Sequence, residues 1–200
     1  MSDLIKVVGM DPSMRHWGLA YGTYNLQTKE ILITDLGLVE PTITKVKTVR
    51  QNSKDLSAAE QLYTGAVASL EGAHTVFVEV PVGSQSARAM AGYAICVGVL
   101  GAMRAEGKSF IELTPNEVKL AGFGKATATK KEMISWASKA HPEAPWPTWR
   151  GQVNEAQAEH MADAVAAIHA GVASSTFQQL LSLRQGITTR KENAHSIAAN

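Results

Sequence analysis

Two short apolar runs in this chain each end on a carboxylate, and that pattern constrains the fold more than any other. Leu4-Ile5-Lys6-Val7-Val8-Gly9-Met10 leads into Asp11, and Thr75-Val76-Phe77-Val78 leads into Glu79 and Val80. Runs of this length and composition read as buried strands. Within the second, Phe77 and Glu79 share one face while Val76, Val78 and Val80 share the other, because successive side chains alternate. If the two strands are parallel neighbours, both carboxylates reach one edge of a sheet, and open sheets place ligands at the carboxyl ends of their strands. A third acid, Asp163, lies in the Ala-rich stretch from Glu155 to Ala170, with His160 one turn before it on the same helix face. Glu159 is also one turn from Asp163 and is an alternative participant. A carboxylate in such surroundings costs roughly several kcal/mol unless it is paired or binds a metal. Few basic residues stand close in sequence to offset these charges.

The rest of the chain supplies a frame for them. After Leu4–Met10, the segments His16–Tyr24 and Lys29–Leu38 read as two more strands, giving three consecutive antiparallel strands. Glu40–Lys54 is polar and reads as a loop, and Ser57–Glu71 as a helix with Leu62, Ala66 and Leu70 at helical spacing. Thr75–Val80 is followed by a long helix from Ser84 to Ala105, roughly 33 Å at 1.5 Å per residue. Lys108–Leu113 reads as a short strand, and Thr114-Pro115-Asn116-Glu117 opens a short helix with its cap and proline in the preferred order. Ala128–Lys139 reads as a helix, His141–Gly151 as a loop with three prolines and two tryptophans, and Asn154–Gly171 as the last strongly patterned helix. Beyond Ser174 one more short helix is expected to about Arg184, then a polar tail. Three strands followed by alternating helices and strands describe an α/β layered fold with a mixed sheet.

Composition excludes several classes. Two hundred residues fit one domain. The net charge of +1 gives no global basic field, so any binding to nucleic acid must come from a local patch. Cys96 is alone, which excludes an internal disulfide and four-cysteine zinc modules, and it reads as a small buried hydrophobe. The N-terminus opens into a strand without a signal-peptide pattern. The uncharged stretch Ala89 to Met103 falls short of the ~20 residues a membrane span needs. A cytoplasmic protein without membrane contact is expected.

Three carboxylates and one imidazole are an oxygen-rich donor set that favours Mg²⁺ or Mn²⁺ over zinc. Two such ions about 4 Å apart support phosphodiester hydrolysis.

Gly9-Met10-Asp11-Pro12-Ser13-Met14-Arg15-His16-Trp17-Gly18 resembles the opening motif of RuvC-type Holliday junction resolvases, members of the ribonuclease H-like superfamily. The resemblance extends to Val78-Glu79-Val80, to the long small-residue helix, to Leu113-Thr114-Pro115-Asn116-Glu117-Val118-Lys119 and to His160-Met161-Ala162-Asp163-Ala164-Val165-Ala166. It implies a ribonuclease H-like fold, a mixed five-stranded sheet of three antiparallel strands then parallel strands, flanked by helices. A nuclease domain would span 1–173, with 174–200 as a C-terminal extension. It implies a homodimeric endodeoxyribonuclease of DNA recombination and repair that resolves four-way junctions by paired symmetric nicks, with water as nucleophile.

The resemblance further assigns two Mg²⁺ ions to Asp11, Glu79, His160 and Asp163, with Mn²⁺ able to substitute. His160 is the family variant of a position that is Asp in other members; it either ligates the second ion or orients the attacking water. The family's paired lysines map onto Lys119 and Lys130, near the scissile phosphate. Lys125 and Lys131, flanking Ala121-Gly122-Phe123-Gly124, join them in the best basic patch for DNA, and Arg15 and His16 stand where they can approach phosphate.

Two departures stand out. Ser13 occupies a position where many members have Gly. After Glu79 the chain reads Val80-Pro81-Val82-Gly83, without the aromatic that stacks on junction bases in bacterial members. The lost wedge points to a phage-type enzyme, acting in a host cytoplasm, with relaxed choice among branched DNAs.

Other features read more plainly. Lys45, Lys47, Arg50 and Lys54 read as a solvated run. Trp146 and Trp149 read as packing against the last helix, with base stacking as the alternative. His74, His141, His169 and His195 read as incidental. The helix Ser84–Ala105 reads as a dimer interface, as packing on its own sheet, or both. Competing readings are a non-catalytic junction binder, a related nuclease on RNA–DNA hybrids, and a sugar-kinase or actin-like ATPase, which needs about twice this length and a second phosphate loop.

Overall fold

A computed structural model describes residues 3–184. Three strands open the chain: β1 (Leu4–Asp11), β2 (Trp17–Asn25) and β3 (Ile31–Val39). They are followed by α1 (Gln51–Ala68), β4 (Thr75–Glu79), α2 (Ala87–Ala105), β5 (Ile111–Leu113), α3 (Pro115–Gly122) and α4 (Lys130–Ala140). A two-stranded hairpin of β6 (Thr148–Trp149) and β7 (Gln152–Val153) precedes α5 (Glu155–Ala173), and a last helix, α6, covers 175–184. The five-stranded sheet has the order β3-β2-β1-β4-β5. β1, β2 and β3 are antiparallel, whereas β4 and β5 run parallel to β1, as expected from sequence.

Alternation along the strands divides the core in two. Ile5, Val7, Phe77 and Leu113 point to the face covered by α5, with α3 and α4 beside it. Val8, Met10, Val76 and Val78 point to the opposite face and pack with Leu62, Cys96 and Met103 from α1 and α2. Cys96 is fully buried there, and burial pushes its thiol up to about 12, so it behaves as the small hydrophobe expected. After α5 the chain folds back and inserts Phe177, 2% exposed, between Tyr24 and Phe77 in edge-to-face contacts at 5.7 and 5.4 Å. The segment after α5 therefore contributes to the core of the sheet. The polar tail beyond Arg184, with His195, lies outside the described residues.

Several boundaries differ from expectation for tertiary reasons. α1 begins at Gln51, not Ser57, so its first turns occupy the end of the expected loop. Asp55 holds them: it accepts from Gln51 at 2.9 Å and takes both guanidinium nitrogens of Arg88, from α2, at 2.7 Å. α2 starts at Ala87, after Ser86 caps it through the Ala89 N–H, leaving Ser84 in the preceding loop. β5 is shorter than Lys108–Leu113. The expected loop His141–Gly151 carries β6 and the turn into β7. Trp146 is buried at 9% exposure, as expected, its Nε1 donating to the His141 carbonyl at 2.8 Å. Trp149 instead is 68% exposed, so its expected packing against the last helix is corrected. Among the described residues, no helix is long and apolar enough to cross a membrane.

Candidate active site

Parallel pairing of β1 with β4 sets Met10 beside Val78, and the next residue of each strand is Asp11 and Glu79. Both continue the parity of Ile5, Val7 and Phe77, so both face α5. α5 lies unusually close to the sheet at this point. A Cβ on Gly9 would stand 2.0 Å from the Ala164 carbonyl oxygen, and one on Gly18 would stand 2.1 Å from that of His160. Glycine at these two positions lets the helix bring His160 and Asp163 down to the strand ends.

The result is one pocket of about 440 Å³ lined by Asp11, Glu79, His160, Asp163, Lys119 and Lys130, with Glu159 at its side. Lys119 stands in the last turn of α3 and Lys130 at the first position of α4. Both helices start in complete capping boxes, Thr114 with Glu117 and Thr129 with Glu132, which fix where each lysine emerges. Glu159, the alternative acid, is engaged in an ion pair with Lys130.

The electrostatics of the pocket are strained. Burial first, then the charges of Asp11 and Asp163, push the Glu79 carboxyl up to about 8, against a smaller opposing pull from Lys119. Burial and the charge of Asp11 likewise push Asp163 up to about 7, while His160 pulls it down. Burial would lower the His160 imidazole, but the hydrogen bond and charge of Asp11 outweigh it and leave it raised. His160 Nδ1 meets Asp11 Oδ2 at 2.5 Å. Behind it, the His16 ring stacks on the His160 ring with centroids 5.8 Å apart, and His16 Nδ1 bonds Glu40 at 2.9 Å. Ser13, in the turn from β1 to β2, accepts from the backbone N–H groups of Arg15 and His16 at 3.4 and 3.5 Å.

A divalent cation fits the chemistry of this donor set. Buried carboxylates that repel one another lack positive charge, and hard oxygen donors suit Mg²⁺ or Mn²⁺. As they stand, no three such side chains among the described residues are gathered tightly enough to hold an ion. Asp11 Oδ2 is engaged by the His160 imidazole.

The remaining expected residues lie outside this pocket. Arg15 is exposed and opens onto an adjoining cleft with His16 and Arg88. Lys125 sits over the Phe123 ring at 5.6 Å, and exposed Lys131 faces Glu155 at 3.9 Å. Lys45, Lys47 and Arg50 are exposed. His141 and His169, read as incidental, face each other with Nε2 atoms 2.8 Å apart. Burial and the neighbouring His141 pull His169 down to about 4. His74 accepts the Lys6 backbone N–H through Nδ1 at 3.1 Å. Tyr93 and the Pro81-Val82-Gly83 lip also line the pocket, and sequence reasoning gave them no role there.

A five-stranded mixed sheet with acids at adjacent strand ends, closed by a helix carrying His160 and Asp163, defines a ribonuclease H-like fold. Within that class the fold is similar to that of RuvC structures. The chain is similar to RuvC from Thermus thermophilus in complex with a Holliday junction substrate, with 17% identity, a TM-score of 0.58, and 83% of this chain and 92% of that one covered. It is similar also to a second Thermus thermophilus RuvC structure, with 20% identity, a TM-score of 0.57 and the same coverage. No family model and no curated protein matches the chain by sequence.

Proposed function

We propose that this protein is a divalent-metal-dependent endodeoxyribonuclease that resolves four-way DNA junctions by paired symmetric nicks. The observation that carries the reading is the single pocket in which Asp11, Glu79, Asp163 and His160 are edged by Lys119 and Lys130. The similar fold of a protein bound to a Holliday junction supports a branched-DNA substrate. A protein that only bound DNA would gain nothing from clustered negative charge facing phosphate.

Two Mg²⁺ ions, with Mn²⁺ able to substitute, would be held by Asp11, Glu79, Asp163 and His160, and when bound would supply charge neutralisation and a more acidic water. The chain's own residues do the rest. Lys119 and Lys130 position the scissile phosphate and offset its charge. Asp11 holds His160 Nδ1, which leaves Nε2 either to ligate an ion or, in place of that, to orient the attacking water. Lys125, Lys131 and Arg15, outside the pocket, contact the DNA backbone further along.

Two strands must be cut, so two sites are needed, and we take the active form to be a homodimer through α2. Met90, Ala94, Val97, Gly98 and Gly101 are exposed along one side of that helix, with Val97 44% exposed. No charged residue lies between Ala89 and Met103. A Cβ at Gly98 would meet nothing within 4 Å, so Gly98→Arg is accommodated by the monomer. It is expected to convert a dimer to a monomer in sedimentation and to uncouple the two nicks of one junction.

The lip Val80-Pro81-Val82-Gly83 carries no aromatic side chain, in keeping with relaxed choice among branched DNAs in a phage-type enzyme acting in a host cytoplasm. The deciding experiment compares synthetic four-way, three-way, flap and linear duplex DNA and an RNA–DNA hybrid, each with Mg²⁺ or Mn²⁺. Symmetric nicks concentrated on the branched DNAs are expected. Tight junction binding with no metal-dependent cleavage would leave a binder, and preferential cutting of the hybrid would move the substrate to RNA.

A further inference from the structure

The hairpin β6–β7 stands outside the site just described and presents its most prominent side chain, Trp149, to solvent. Its base is firmly set. Trp146 is buried with its indole N–H satisfied, and the Asn154 N–H donates to the Pro147 carbonyl at 2.7 Å, closing the hairpin where α5 begins. Thr148 pairs with Val153 and Trp149 with Gln152. The two turn residues, Arg150 and Gly151, have φ of 51° and 79°. Positive φ at both central positions is what a two-residue hairpin of the twist-matching kind requires. The turn thus fixes how Trp149 is presented.

What is presented is an open aromatic face with a cation. Trp149 is 68% exposed, whereas Trp17 and Trp146 are buried. The Arg150 guanidinium lies 5.9 Å from the Trp149 ring centroid. Beside the indole is a cleft of about 470 Å³ lined by Gln152, Asn154 and Glu155, whose amides and carboxylate offer donors and acceptors in one place. Lys131 lies 3.9 Å from Glu155 and tempers its charge. From Asn154 to His160 is roughly 9 Å along the axis of α5, at 1.5 Å per residue. The cleft therefore sits at the same end of the helix as the carboxylate pocket.

We propose that this hairpin is a nucleobase platform: Trp149 stacks an unpaired base of the DNA at its branch point, and Arg150 takes a flanking phosphate. The inference rests on DNA being the substrate of the adjacent pocket. A flat π-face flanked by a cation matches a base and its phosphate, and only a base outside a continuous stack can offer a face to it.

The test uses the full chain and two variants, Trp149→Ala and Trp149→Phe. Neither touches a buried group. Binding is read by anisotropy of a labelled four-way junction and of labelled oligothymidylate without Mg²⁺ or Mn²⁺, and by quenching of tryptophan emission in the unsubstituted protein. Stacking of one base predicts a loss of about 5- to 150-fold in affinity for Trp149→Ala, with substantial rescue by Trp149→Phe, and emission quenching by oligothymidylate. Unchanged affinity in Trp149→Ala, or no rescue by phenylalanine, overturns the proposal. Either result would leave the platform without a nucleic-acid role, and the exposed indole would then await a protein partner. Junction cleavage with Mg²⁺ separates this from the nuclease reading. Cleavage by the unsubstituted protein with unaltered Trp149→Ala binding sinks the platform alone. Binding that depends on Trp149 without any cleavage sinks the nuclease and leaves the platform standing.

Discussion

Asp11→Asn is expected to abolish junction cleavage, by on the order of 10³-fold, while junction binding stays intact or tightens. The size follows from what the pocket lacks. Glu79 and Asp163 are held up to about 8 and about 7 by burial first and by the charge of Asp11 next. A cation in their midst is worth several kcal/mol of charge stabilisation in a phosphoryl transition state. Losing about 4 kcal/mol of it, at 1.36 kcal/mol per decade, gives the stated factor. Asparagine keeps the shape of the side chain, and its carbonyl still accepts from His160 Nδ1, so α5 stays in place. Removing one like charge also relieves the other two carboxylates. The variant should therefore melt higher than the unsubstituted protein without divalent ions, and its melting temperature should respond less to added Mg²⁺. Calorimetry with and without Mg²⁺, beside single-turnover cleavage, checks both halves. Cleavage by Asp11→Asn at the ordinary rate would remove this pocket from the chemistry.

The parts of this molecule that were legible in its sequence are those where a local pattern carries a physical cost. Asp11 and Glu79 end apolar runs whose parity places them on one face, so their meeting could be anticipated across the length of chain that separates them. The cap and proline at Thr114-Pro115 announced the helix that carries Lys119, and helical patterning over Ala128–Lys139 announced the one that carries Lys130. What stayed hidden depends on partners far away in sequence. The first turns of α1 look like polar loop until Arg88 reaches Asp55. Trp146 and Trp149 sit in similar Pro- and Thr-rich surroundings, yet one is buried and the other stands in solvent. The hairpin itself escaped notice because Arg150, not Asn or Asp, occupies the first positive-φ position of its turn. His141 and His169 meet only because α4 ends beside α5.

Gly18→Ala should be damaging out of proportion to its single methyl. The new Cβ would lie 2.1 Å from the His160 carbonyl oxygen, 2.4 Å from its carbonyl carbon and 2.8 Å from its Cβ. These are backbone atoms of a helix, or next to it, and cannot turn aside as a flexible side-chain tip can. α5 must retreat from β2 by on the order of 1 Å, and overpacking of this kind costs about 1–3 kcal/mol. The larger consequence falls on the site, because the retreating turn carries His160 and lies just before Asp163. Misplacement by about 1 Å is enough to slow an oriented reaction roughly 10²-fold. Cleavage is thus expected to fall by about that factor in protein that remains folded, and the Mg²⁺-induced rise in melting temperature should shrink with it. Gly37→Ala is the matched control: its Cβ would meet Leu19 and Tyr21 at 3.8 to 3.9 Å, ordinary contact, in the neighbouring strand of the same sheet. Equal cleavage and equal Mg²⁺ response in Gly18→Ala and Gly37→Ala would mean that the closeness of α5 to β2 does not set the geometry of the pocket.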